Sequence, residues 1–305
     1  MGTLHVVGNV NIDVILGPQT PWPEPGTEVQ VPHRDLRAGG STGNTALALQ
    51  ALGATINMVC NCGTDPPGQW LREEFGSLSR TWASSTAPTA LTLGITHPNG
   101  ERTFFSHLGH LAEFSLAHAL SGLQHLVPGE WVLLSGVYQT PELQQDYLQL
   151  LHWLKNRKAR IAIDPGWPPQ GFTPELRTQA LAWFSLCDDV LVNEIEAISL
   201  TEAPDVQTAL LTLAEQLPDT TVIVKCGPHG VRARSRHLEH HVSAPQVQVI
   251  DTVGAGDTFN AAYLLAKSQG KTLLSCLEQG VHCASAAIST FPRMYQARDQ
   301  TQTVL

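Results

Sequence analysis

Asp251-Thr-Val-Gly-Ala-Gly-Asp257-Thr-Phe-Asn-Ala-Ala-Tyr263 is a Gly-rich turn that opens directly into an apolar, helix-forming run. Gly254 and Gly256 let backbone amides come close to an anion, and the unpaired N–H groups of the new helix point at it. A phosphate site is implied, although turns of this kind also occur for packing alone. Asp257 stands in the first helical turn, where dipole and amides are expected to keep its carboxylate ionised beside a bound phosphoryl group. A carboxylate so placed can accept the proton of an attacking hydroxyl. Capping is the plainer role for an Asp at a helix start. No Gly-x-x-x-x-Gly-Lys-Ser/Thr loop occurs in the chain, so the cradle is of another type.

Outward from this turn, short apolar segments alternate with longer helical ones. Leu4–Val7, Ile56–Cys60, Trp131–Leu134, Ile161–Ile163, Val190–Val192 and Val222–Lys225 each flank a helix-like stretch. That rhythm predicts an α/β fold, a doubly wound, mostly parallel sheet with helices on both faces. Thr27–Leu36 and Thr89–His107 break it, being rich in Thr, Val, Leu and Phe with a turn at Pro98–Gly100. They read as antiparallel strands of a small β lid, drawn from about 12–36 and 88–108. No repeat or long linker divides the chain, so 1–305 is taken as one domain.

The bulk numbers exclude several classes. A net charge of -9 with scattered Lys and Arg leaves no footprint for nucleic acid or an anionic membrane. No apolar stretch is long enough for a membrane span, and no basic leader opens the chain, so a cytoplasmic location is expected. The six cysteines are widely spaced and read as buried thiols. His237, His240 and His241 lie close together without cysteine or carboxylate partners at ligand spacing, and read as a solvated cluster rather than a metal site.

With these residues in view, Asp251–Asn260 resembles the C-terminal signature of the ribokinase-like (PfkB) family of carbohydrate kinases. Ala38-Gly-Gly-Ser-Thr-Gly-Asn44 and its continuation to Gly53 resemble the N-terminal signature, with Gly39 and Gly40 at the sugar and Asn44 bonding its hydroxyls. Gly8-Asn-Val-Asn11-Ile-Asp13 resembles the end of the first strand, where the family's Asp grips a diol. Asn193-Glu-Ile-Glu196 is similar to the Asn-x-x-Glu motif associated with magnesium and phosphate. Lys225-Cys-Gly227-Pro-His-Gly230 is similar to the stretch near the nucleotide, to which Thr252 also belongs. The hairpin at Asn99-Gly-Glu-Arg102 resembles one that closes over the sugar and pairs subunits, and it brings Arg102 to the ligand or a partner. Asp164, before Pro165, resembles a residue near the phosphate path, though Gly166 replaces the usual Asn.

The resemblance implies a three-layer ribokinase-like fold with a lid, and an ATP- and Mg²⁺-dependent kinase acting on a hydroxyl of a sugar-like small molecule. It implies Asp257 as base, with Gly254, Ala255 and Gly256 as anion hole and Glu196 toward the metal. It also implies a homodimer through the lid. Two departures matter. Ser135-Gly-Val-Tyr138-Gln139 lacks the Glu of a ribose site, and the tail after Ala287 lacks the Gly-Ala pair beside the adenine and the K⁺ site, so K⁺ stays an open candidate. An unphosphorylated sugar or sugar derivative is favoured, with a nucleoside second. A non-catalytic sugar or nucleotide sensor, and a dehydrogenase, compete; the second lacks its Gly-x-Gly-x-x-Gly after the first strand.

Overall fold

Leu4–Gly8 (β1), Trp131–Ser135 (β9) and most of Asp189–Asn193 (β11) are buried along their length, the pattern of strands covered on both faces. The computed structural model describes residues 2–98, 102–236 and 238–291. In chain order the strands are β1, Asn11–Gly17 (β2), His33–Gly39 (β3), Ile56–Val59 (β4), Asn61–Gly63 (β5), Ala83–Ser85 (β6), Leu91–Thr96 (β7) and Arg102–His107 (β8). Then come β9, Arg160–Asp164 (β10), β11, Thr221–Lys225 (β12), Val231–Ser235 (β13) and Leu238–Val242 (β14).

Among the described residues these form an eight-stranded sheet in the order β14-β13-β12-β11-β10-β9-β1-β4, a four-stranded sheet β3-β2-β7-β8, and a β5-β6 pair. From β4 to β12 all neighbours are parallel, and only β13 and β14 are antiparallel. Successive residues of a strand point to opposite faces, so each strand feeds two cores. Val7, Leu134, Ile163 and Val192 join Tyr147 and Trp183 on one side, while Val6, Leu133, Ala162 and Leu191 join Leu49, Phe259 and Tyr263 on the other. The fold is thus α/β with a large, mostly parallel sheet and a smaller one.

The small sheet differs from the expectation in two ways. Residues 27–32 form no strand, and β3 starts only at His33, directly after Pro32, which has no N–H to give a ladder. Gly8–Asp13, read as the end of the first strand, divides: β1 stops at Gly8, and Asn11–Gly17 is a separate strand that pairs antiparallel with β3 but parallel with β7. Asp13 therefore belongs to the small sheet. Asn99 and Gly100 of the expected turn lie outside the described residues, as does His237. All six cysteines are buried and free.

Candidate active site

The phosphate-type turn has the geometry that its glycines demand. Gly254 caps the helix Ala255–Ser268 in a left-handed conformation, φ 74°, where a side chain would be strained. A Cβ on Gly256 would look toward Lys225 Nζ at 3.4 Å, so this face of the turn opens on a cation. Asp257 is the third residue of the helix. Asn44, on the helix Ser41–Ala51, donates from Nδ2 to Asp257 Oδ2 at 2.9 Å. The two signatures, more than two hundred residues apart, therefore meet at one carboxyl group. Asn44 makes no cap to its own helix.

The electrostatics of Asp257 reverse the expectation of a firmly ionised group. Burial, reinforced by the negative Asp164, raises its pKa to about 7, while the Asn44 hydrogen bond and Lys225 pull the other way. Desolvation outweighs the helix dipole here, because the dipole supplies only a fraction of a charge. A carboxyl group poised near neutrality is well matched to taking up and releasing a proton.

Asp13 faces this group from the small sheet, and its charge is among those that raise the Asp257 pKa. Its own carboxyl is raised by burial, against the opposing hydrogen bond from Asn11 Nδ2 at 2.7 Å. Gly39 lies opposite Asn11 in the ladder, and a Cβ there would collide with the Asp13 carboxylate. The glycine is thus required by the acid itself. Gly40, φ 87°, sits over Asn9 and Asn11 at the start of the helix. Arg102, expected at the ligand or a partner subunit, donates from Nη2 to Asp251 Oδ1 at 2.9 Å, and Arg37 donates to Asp251 Oδ2 at 2.5 Å. Both guanidiniums fasten the small sheet to the head of the Gly-rich turn, with Thr252 within 3.4 Å of Arg102.

Lys225, at the end of β12, donates to Asp164 Oδ2 at 2.6 Å and lies 3.3 Å from Asn260 Oδ1, and Asn260 Nδ2 donates to the same Asp164 oxygen. Burial works against the Lys225 charge, but Asp164 and Glu196 outweigh it and its pKa is raised. Beside it opens a cavity of about 820 Å³ whose walls include Gly227, Gly230, Thr252, Val247, Val249 and Ile288. Gly230 is fixed by its turn, φ 87°, since a Cβ there would meet the Val242 carbonyl. Asn193 and Glu196 stand apart from this cavity as a reciprocal cap: Glu196 N–H donates to Asn193 Oδ1 at 2.8 Å and Asn193 N–H to Glu196 Oε2 at 2.9 Å. Glu196, expected toward the metal, is buried, and its pKa is raised to about 7 by burial and by Asp164. No described group of three His, Cys, Asp or Glu is spaced to hold a metal directly.

Three participants were not singled out in the sequence. Asn260 carried a signal, being one helical turn from Asp257 and so on the same face. Asp251 and Arg37 gave none, because their pairing spans 214 residues.

Comparison with protein families matches residues 1–293 to the pfkB family carbohydrate kinase. A cytidine kinase of Thermococcus kodakarensis is 24% identical over 284 residues, spanning 92% of this chain and 94% of that protein. A ribokinase of Haemophilus influenzae is 25% identical over 315 residues, spanning 98% and 96%. The structure of an Arabidopsis thaliana ribokinase complexed with ribose and ATP shares the fold, with a TM-score of 0.78, 23% identity and coverage of 96% and 95%. A matched turn, a carboxyl poised above it and a family match over nearly the whole length agree: the chain belongs to the pfkB family of carbohydrate kinases and is a phosphotransferase with a hydroxyl acceptor, a sugar or nucleoside kinase.

Proposed function

We propose that the protein transfers the γ-phosphoryl group of ATP to a hydroxyl of an unphosphorylated sugar or sugar derivative, with Asp257 as general base and the 254–257 turn as anion hole. The observation that carries this reading is the position of Asp257. It bonds Asn44 and feels Asp13 on one side and Lys225 with Asp164 on the other. Asn11, Asp13, Gly39, Gly40 and Asn44 form the acceptor side, since a diol needs a bidentate carboxylate and close backbone approach. The largely apolar cavity bordered by Lys225, Gly227, Gly230 and Thr252 forms the nucleotide side.

In the reaction the acceptor oxygen attacks the γ-phosphorus as its proton passes to Asp257, and the bond to the ADP oxygen breaks. Backbone amides of Gly254, Ala255 and Gly256 hold the charge on the transferred group, which is where most of the rate arises in phosphoryl transfer. Lys225 neutralises the nucleotide's phosphates from the other flank. Magnesium, when bound with the nucleotide, supplies further charge neutralisation. The residues fit it through water: Asp164, Glu196 and Asp257 outnumber Lys225, and hard divalent cations retain water on carboxylate sites. The residues where K⁺ was left open run past Phe291, beyond the described residues. The outer face of the small sheet, with Leu36, Leu91 and Phe105 exposed, is the surface for a second copy. An ADP-release screen of the purified protein against sugars, sugar acids and nucleosides tests the reading. Absence of acceptor-dependent ADP release across the panel removes it.

A further inference from the structure

The register of the small sheet sorts its residues into two faces. Asp13 pairs with Arg37 and Thr92, Thr92 with Ser106, Ile15 with Gly94, and Gly94 with Phe104, so these residues share one side. It is the side that meets Asp251 through Arg37 and Arg102, and hence the side toward the cleft. Within it the polar row of Asp13, Thr92 and Ser106 is tied together, with Asn11 Nδ2 3.3 Å from Thr92 Oγ1 and Thr92 Oγ1 3.1 Å from Ser106 Oγ. The next row is Asp35, Ile15, Gly94 and Phe104, apolar from Ile15 onward, with Asp35 at its β3 end turned to Arg37 at 3.5 Å.

Gly94 explains how that row is arranged. A Cβ on it would lie 2.7 Å from Ile15 Cδ1 and 3.0 Å from Phe104 Cε1, so the phenyl ring lies across the bare backbone of the glycine against Ile15. Phe104 is nevertheless 52% exposed on this side. Its neighbour Phe105 points outward and stacks on Trp22, whereas among the described residues no aromatic ring stacks on Phe104. A ring held against a bare glycine backbone and half-exposed on the cleft side is a platform. Phe104 stands one row from Asp13, about 7 Å along the strands, and two strands across, about 10 Å, but its ring leans back over Gly94 on the intervening strand.

On this basis the geometry points to an acceptor with two parts: a sugar diol held by Asp13 and Asn11, and a flat aromatic substituent on the anomeric carbon stacked on Phe104 and Ile15, that is, a nucleoside. This rests on the kinase reading and deepens it. A sugar alone fills the polar row and leaves the platform bare. A phosphorylated or acidic acceptor finds both nearby guanidiniums, Arg37 and Arg102, already engaged by Asp251. Aromatic faces prefer offset stacking, and the Phe104 ring offers that without an aromatic cage.

The test compares the wild-type protein on ribonucleosides and on free ribose and fructose, by ADP release and by isothermal titration. Nucleosides are expected to be the better acceptors by at least about 10-fold in kcat/KM. Phe104→Ala is expected to raise the nucleoside KM about 10- to 100-fold, the range for loss of one base-stacking partner, and Phe104→Tyr to restore it. Efficient phosphorylation of free sugars but not nucleosides, or a nucleoside KM indifferent to Phe104→Ala, overturns the platform and leaves the kinase reading standing. Nucleoside binding weakened by Phe104→Ala with no ADP release from any acceptor overturns the kinase reading and supports the platform. Neither binding nor turnover overturns both.

Discussion

Arg37 Nη1 donates to Asp251 Oδ2 at 2.5 Å, so a strand of the small sheet is fastened to the residue that opens the Gly-rich turn. The same carboxyl group accepts from Arg102 at 2.9 Å and, through Oδ1, from its own turn at Val253 N–H, 2.9 Å. Closing the sheet and shaping the turn thus use one carboxylate. Asp251→Asn should retain the Val253 bond but weaken both charge-assisted pairs. We expect a higher acceptor KM and more ATP hydrolysis without acceptor, because a loose cover admits water. Unchanged values for both would show that these pairs are only surface ornament.

Asp257→Asn should lower kcat by about 10²- to 10⁴-fold while nucleotide and acceptor affinities stay within a few-fold, since the amide keeps the shape but takes up no proton. Steady-state kinetics with titration calorimetry separates the two effects. Near-normal kcat would reduce Asp257 to a positioning role.

The raised pKa of Asp257, about 7, has two pH consequences. With Asp257 as the proposed base, turnover uses the ionised form, so kcat/KM should fall tenfold per unit below about pH 7. Stability runs the other way. A carboxyl whose folded pKa lies above its unfolded value, about 3.9, favours the fold fully below that value and loses the contribution as pH rises through 7. Asp257→Asn should therefore raise Tm more at pH 8 than at pH 4, by scanning calorimetry. An equal shift at both would contradict the raised pKa.

Asp13→Ala should raise the acceptor KM sharply with a smaller change in kcat, because a diol contact exists before as well as during transfer. Gly39→Ala should reproduce much of that loss, since its methyl group would occupy the place of the Asp13 carboxylate. The double variant should cost little more than either alone, the mark of a shared contact. Fully additive effects would mean that Gly39 serves something other than Asp13.

The outer face of the small sheet gives a further expectation. Sedimentation of the wild type should show a dimer, and Leu36→Asp a monomer that still folds, because both partners lose apolar cover. A monomeric wild type rejects the surface.

The parallel sheet was legible because its strands are continuous apolar runs between helical segments, and Trp131–Ser135 or Leu4–Gly8 can be little else. Asp257 and Asn44 were legible as parts of two local signatures. What escaped was set by long-range pairing. The strands expected to be antiparallel include one parallel pair, β2 with β7, and the Arg37–Asp251 bond depends on packing between distant segments. The near-neutral carboxyl groups of Asp257 and Glu196 also escaped, since a pKa is set by burial and neighbours rather than by position at a helix start.

Phe104 and Phe105 are adjacent in the chain yet look into different worlds, one inward over Gly94 and the other outward against Trp22. Selection can therefore act on each separately. A drift at alternate positions of this ribbon can remake the face toward the cleft while the outer face stays as it was, and a drift at the intervening positions can remake the outer face without touching the inner one. A covering element only one strand thick thus carries two independent evolutionary dials, which gives a common scaffold room to diverge in what it accepts.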